Sequence, residues 1–194
     1  MKNKELQESR MKGYFIDAAK EILKSEGIRA ISVRNVAEKA GYSFATLYNY
    51  FRDINDLVFL CINDFQSECK EYVLNDIDNS LKGRDRLKSL LKSYIKYFVE
   101  YPGIFELFYL VQVGGFGNKN DSLKIIDNSI YDICGDSFEY LLEGERLNNI
   151  SMEDLKTQVQ LCVVGLLVIY INRNVPEDYR DFIARCDRQL DILI

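Results

Sequence analysis

Proline occurs twice in 194 residues, at Pro102 and Pro176, and that scarcity restricts the fold more than any other feature. Proline removes an amide donor and breaks helix interiors, so a chain with so few can run long helices, and its apolar residues recur at helical rather than alternating spacing. From Glu5 to Glu26, the residues Met11, Phe15, Ala18, Ala19, Ile22 and Leu23 fall on one helical face, and Gly27 ends the run. Ser32 is a good N-cap for a short second helix: Ile31 and Val36 stand where a hydrophobic staple requires them, and Val33, Ala37 and Ala40 complete an apolar face before Gly41. Gly41-Tyr42-Ser43 reads as a tight turn, with a glycine for left-handed backbone and a serine to cap a third helix from Phe44 to Phe51. Asp53 can cap a fourth, carried by Leu57, Val58, Leu60, Cys61 and Phe65 toward Leu74. Segments near 84–101, 103–113, 121–143, 152–174 and 177–193 also predict helices, separated by Gly83, Pro102, Gly114 to Gly117, Asn148 to Ser151 and Pro176. The expectation is an all-α chain, with a three-helix helix-turn-helix domain at 1–52 and a larger helical domain at 53–194.

Charge is unevenly spread. The net charge is −5, yet the first 52 residues hold ten Lys and Arg against six Asp and Glu, while the remainder hold fifteen against twenty-four. A basic head on an acidic body suits nucleic acid at one end. Five cysteines (Cys61, Cys69, Cys134, Cys162, Cys186) lack a CxxC spacing and no histidine exists, so reduced thiols are expected, with no metal and no cofactor. Without histidine, a Gly-rich phosphate loop, or a Ser or Cys beside a plausible base, the usual catalytic sets are missing, and an enzyme is not expected. The charged N-terminus lacks the apolar core of a signal peptide, so a cytoplasmic protein is expected. The longest apolar run, Leu161 to Ile171, is too short to cross a bilayer, so no membrane is expected as a partner.

The functional chemistry is concentrated in the third helix. Leu47 and Phe51, four apart, face the core, leaving Phe44, Ala45, Thr46, Tyr48, Asn49 and Tyr50 for an outer surface. Asn49 can pair with an adenine edge in a major groove, Thr46 with a base or phosphate, and Phe44 with a thymine methyl. Tyr48, Tyr50, Ser32 and Arg34 offer donors suited to phosphate oxygens. Ser43 and Ala45 complete the candidate interface, and double-stranded DNA is the partner it fits. The plainer alternative is a helical hairpin packed on the rest of the chain, its tyrosines merely amphipathic.

The stretch from Ser32 to Phe51 resembles the DNA-binding segment of TetR-family regulators, most specifically in Leu47-Tyr48-x-Tyr50-Phe51, and the resemblance runs over about residues 8 to 60. It implies nine or ten helices in a homodimeric repressor that a small ligand releases from a palindromic operator; residues 53–194 would bind the ligand and dimerise. That family often places a phosphate-touching lysine where this chain has Ile54, and no Lys or Arg lies between Phe44 and Phe51. Charge neutralisation therefore falls to Arg34, Lys39, Arg52, Lys2, Lys4, Arg10 and Lys12. Past residue 75 the similarity is loose: Tyr101 to Phe108 looks like a helix-breaking segment of such ligand domains, and Leu161 to Leu167 resembles the start of their eighth helix, with Val164 where a histidine is common.

Aromatic residues crowd the middle of the chain. The plain reading is a well-filled core; if there is a pocket, the ligand candidates are Tyr94, Phe98, Phe105, Phe108, Tyr109, Phe138 and Val163, and the scarcity of charge among them points to an apolar or aromatic effector. Val159, Val163, Leu166, Leu167, Tyr170, Phe182, Cys186 and Leu190, the apolar faces of the last two helices, read either as an intramolecular core or, as the resemblance implies, as the dimer interface. A rival function is a helical interaction protein whose degenerate helix-turn-helix no longer binds DNA, an idea that Ile54 favours; salt-dependent DNA binding separates the two.

Overall fold

The computed structural model describes residues 2–111, 119–143 and 150–194; the expected separators at Gly114 to Gly117 and at Asn148 and Asn149 lie outside the described residues. Helices follow one another as α1 (Lys2–Ser25), α2 (Val33–Ala40), α3 (Phe44–Tyr48), α4 (Ile54–Asp76), α5 (Gly83–Glu100), α6 (Pro102–Phe105), α7 (Lys119–Glu143), α8 (Met152–Arg173) and α9 (Tyr179–Leu193). Among the described residues no strand occurs, and the fold is all-α. Two compact units form: residues 1–67 with 101–126, and residues 68–100 with 127–194.

In the first unit, α1 buries Phe15, Ala18, Ala19, Ile22 and Leu23, while α2 adds Val36 and Ala37, and α3 adds Leu47. Phe51 and, on α4, Leu57, Val58, Cys61, Ile62 and Phe65 complete this core. Pro102 occupies the first turn of α6, where its missing amide costs nothing. The residue after it has to be glycine: a Cβ on Gly103 would collide with the Leu23 carbonyl oxygen and come within 3.2 Å of the Gly27 Cα. The single helix expected near 103–113 is instead this short α6 followed by a π-helical turn, Glu106–Leu110, that ends in extended backbone at Val111.

In the second unit, α5 buries Leu87, Leu90, Leu91, Tyr94, Ile95, Tyr97 and Phe98, and α7 adds Ile130, Ile133, Cys134 and Phe138. The flank of α5 forms ion pairs at successive helical turns: Arg84 and Lys88 with Asp191, Lys88 and Lys92 with Asp187, and Lys96 with Asp76. On α9, Phe182 stacks on Tyr170 of α8 at 3.9 Å between ring centroids.

Val159, Val163, Leu166, Leu167, Phe182, Cys186 and Leu190 are buried within the single chain, and Tyr170 is half-buried against Phe182. Periodicity identifies an apolar face but not what covers it; here α5, α8 and α9 pack on one another. The run Leu161 to Ile171 lies within a 22-residue helix that is long and apolar enough, by length and composition alone, to cross a membrane.

Candidate nucleic-acid interface

Two serine caps and one glycine define the motif. Ser32, in extended backbone, accepts from the Asn35 amide at 3.1 Å and starts α2. Gly41, at φ 77° and ψ 25°, stops it in the left-handed region that glycine occupies without strain. The Tyr42 amide then donates to the Ala37 carbonyl at 2.9 Å, a helix-closing bond. Ser43 accepts from the Thr46 amide at 3.2 Å to start α3, and the Ser43 and Thr46 hydroxyls lie 2.9 Å apart. The Tyr42 ring stacks on Tyr14 and tilts against Phe15, with centroids at 6.1 and 5.6 Å, which pins the turn to α1.

On this base α3 presents an outer face. Leu47 is fully buried and Phe51 nearly so, as their spacing predicts, while Phe44 and Tyr48 are 64% and 53% exposed. Ala45 and Asn49 are exposed as well, and Thr46 is half-buried with its hydroxyl turned to Ser43. Tyr50 departs from expectation: it is half-buried, its ring 6.2 Å from that of Phe15. α3 closes at Tyr48 rather than Phe51, which makes Asn49 its C-terminal cap instead of a mid-helix residue. Ser32 and Ser43 serve first as caps, and the Ser43 hydroxyl also shares a hydrogen bond with that of Thr46. The sequence reading did not single out Tyr42 and Tyr14, which stay exposed beside the turn; the signal was an aromatic inside the Gly-x-Ser turn, just ahead of the exposed helix.

Charge around this face is largely neutralised by the protein itself. Lys12 pairs with Glu8, Lys39 with Glu21, and Arg52 makes a bidentate pair with Asp56 at 2.7 and 3.2 Å. The hydrogen bond to Asp56 holds the Arg52 guanidinium above its ordinary pKa. At the start of α4, Asp53 accepts from the Asn55 and Asp56 amides at 2.8 and 3.0 Å, so carboxylates flank Ile54. Arg34 is exposed on the first turn of α2 and makes no ion pair among the described residues.

Residues 15–61 match the family of bacterial regulatory proteins named tetR. This is a tetR-family DNA-binding domain. Solved transcription regulators share the fold of the chain that carries it. FadR of Bacillus subtilis, a transcriptional regulator in complex with stearoyl-CoA, superposes with a TM-score of 0.74 at 16% identity, over 93% of this chain and 96% of that one. The fatty acid degradation regulator FadR of Bacillus halodurans gives 0.68 at 15%, over 94% of each chain. A TetR family transcription regulator from Marinobacter aquaeolei VT8 gives 0.67 at 15%, over 98% and 97%. No curated protein matches this sequence.

Beyond this tetR-family domain, the candidate ligand residues fall into both compact units. Phe105 and Phe108 are buried in the unit that holds α1, each ring within 6.2 Å of half-buried Tyr109. Tyr94, Phe98, Phe138 and Val163 are fully buried in the other. There Tyr94 and Phe98 meet edge to face at 4.9 Å, and the Tyr94 hydroxyl lies 2.5 Å from that of Ser129, a polar pair inside an aromatic core. Phe138 also lines a cavity of about 250 Å³ with Tyr131, Asp127, Glu153 and Lys156, whose ammonium sits over the Tyr131 ring.

Proposed function

We propose that the protein is a cytoplasmic, homodimeric repressor: residues 1–52 read a palindromic operator, while 53–194 dimerise and bind an apolar effector that lowers operator affinity. It regulates rather than catalyses. The observation that carries this reading is the rigid turn from Gly41 to Ser43, from which Phe44, Ala45, Tyr48 and Asn49 project to solvent. One such head makes few contacts, and two half-sites engaged by one dimer multiply its affinity.

For the effector, Tyr94, Phe98, Phe138 and Val163, buried in one unit, and the Tyr94–Ser129 hydroxyl pair supply apolar walls with one polar anchor. The stearoyl-CoA bound by the Bacillus subtilis regulator of similar fold supports a ligand with a long apolar chain. Titration of the full chain onto its own promoter DNA at several salt concentrations tests the reading. Operator binding should weaken steeply with salt and exceed binding to a scrambled duplex. The acid-paired Lys12, Lys39 and Arg52, together with the carboxylates beside Ile54, favour a second reading, an interaction protein that has lost DNA binding. Equal, salt-insensitive binding to both duplexes would select it.

A further inference from the structure

The helix-turn-helix ends on a pair of opposite charges. Arg52 stands three residues beyond the exposed Asn49 that caps α3. Its side chain is 75% exposed, yet its Nε and one Nη both donate to the Asp56 carboxylate, at 3.2 and 2.7 Å. Two parallel bonds of this kind are the strong exception among surface ion pairs. Asp56 lies in the first turn of α4, where the aligned peptide dipoles favour its negative charge and the free amides suit an anion. Two of those amides, of Asn55 and Asp56, are already taken by Asp53. Between α3 and α4 the chain thus supplies, from its own carboxylates, both the anion that the helix start accepts and the anion that Arg52 grips. Arg34 is the contrast: exposed on the first turn of α2, it has no ion pair among the described residues.

We propose that Asp56 is an autoinhibitory residue, which holds Arg52 off the phosphates of bound DNA and so limits the affinity of the head for any duplex. A duplex lying against Asn49 presents a phosphate about every 3.4 Å of axis on each strand, within reach of a long side chain rooted three residues away. If Arg52 leaves Asp56 for one of them, the bared carboxylate faces the same phosphates and repels them, so the exchange gains little. Arg52 therefore adds almost nothing to the sequence-independent attraction, which falls to cations without a carboxylate partner, such as Arg34. Phosphate contacts carry no base information, so this brake acts on every duplex and leaves discrimination to Asn49.

This inference rests on the DNA-binding reading above and makes the self-paired charge a restraint on binding rather than a sign of its loss. A mutant cycle tests it, with full-length wild type, Arg52→Gln, Asp56→Asn and the double variant titrated onto a random-sequence duplex at several salt concentrations. Asp53 keeps its cap on α4 in all four, so circular dichroism should report equal helix content. Asp56→Asn should bind more tightly and gain one phosphate contact per head. Its salt slope steepens by about 0.9, so that about 3.5-fold more affinity per head is lost between about 50 and 200 mM salt. Arg52→Gln alone should change binding by less than about twofold, whereas in the Asp56→Asn background it should erase both the gain and the added slope. If Arg52→Gln alone costs a full contact, Arg52 already grips phosphate and the brake is refuted. If the Asp56→Asn gain survives without Arg52, it comes from diffuse charge and the brake is refuted again. Both of those results leave the DNA-binding reading standing. Binding by none of the four chains at about 50 mM salt overturns that reading along with the brake, and binding by Asp56→Asn alone supports the brake in its complete form.

Discussion

At the scale of single residues, the proposed function gives reading sequence and holding the backbone to different side chains. Asn49 is exposed at the end of α3 with an amide able to address a base edge, whereas Arg34 is a charge on the first turn of α2. Asn49→Ala should cost about 1 to 3 kcal/mol on the operator and relax discrimination at one base pair. Arg34→Ala should weaken operator and scrambled duplex alike and lower the salt slope by about one per subunit. Fluorescence titrations across salt concentrations measure both; equal losses on both duplexes for Asn49→Ala would make it a backbone contact. The inward Leu47 and Phe51 and the outward Tyr48 were legible because four-residue spacing fixes a face. Tyr50 was not, because its burial depends on the Phe15 ring of a different helix, a contact that local periodicity does not encode.

Helices and their junctions carry the second level. Capping chemistry was readable: Ser32, Ser43, Asp53 and Gly41 each do what their positions predict. The break after Pro102 was readable too, but the shortness of α6 was not, since it comes from two backbones in contact at Gly103 and Leu23. Gly103→Ala should therefore destabilise the chain by about 3 kcal/mol or more, because the obstacle is a carbonyl that cannot rotate away; a melting temperature within error of wild type would contradict the contact. A second junction titrates. The Asp76 carboxylate, hydrogen-bonded by Lys96 and by the Ser93 hydroxyl at 2.9 Å each, is held below its ordinary pKa, first by the Lys96 bond and against the opposing effect of burial. A carboxylate depressed in the folded state adds stability that is present above about pH 4 and is lost as pH falls through the folded value. Lys96→Met should flatten that acid-side loss, and urea midpoints measured between about pH 2 and pH 5 would reveal it. An unchanged slope would mean that the pair contributes nothing to folding.

Across the whole molecule, sequence located the helix-turn-helix because it is a compact, local motif, whereas what covers the apolar faces of α8 and α9 was not legible, because amphipathic helices carry no mark of which neighbour packs on them. The proposed regulation belongs to the entire chain and must obey linkage: an effector changes operator affinity only by the factor by which operator changes effector affinity. Stearoyl-CoA is the probe suggested by the regulator of similar fold. At a free concentration about a hundred times its dissociation constant, it should stabilise the native chain by about 2.7 kcal/mol. For a chain of this length that is a rise in melting temperature of about 5 to 10 °C. If the same binding drives release, a hundredfold loss of operator affinity requires a coupling of about 2.7 kcal/mol, and operator must weaken stearoyl-CoA binding by the same hundredfold. Calorimetric titration of the ligand with and without operator measures that reciprocity. Stabilisation without any change in operator affinity would make the ligand a passenger rather than an effector, and the absence of both effects would exclude a long acyl chain as the signal.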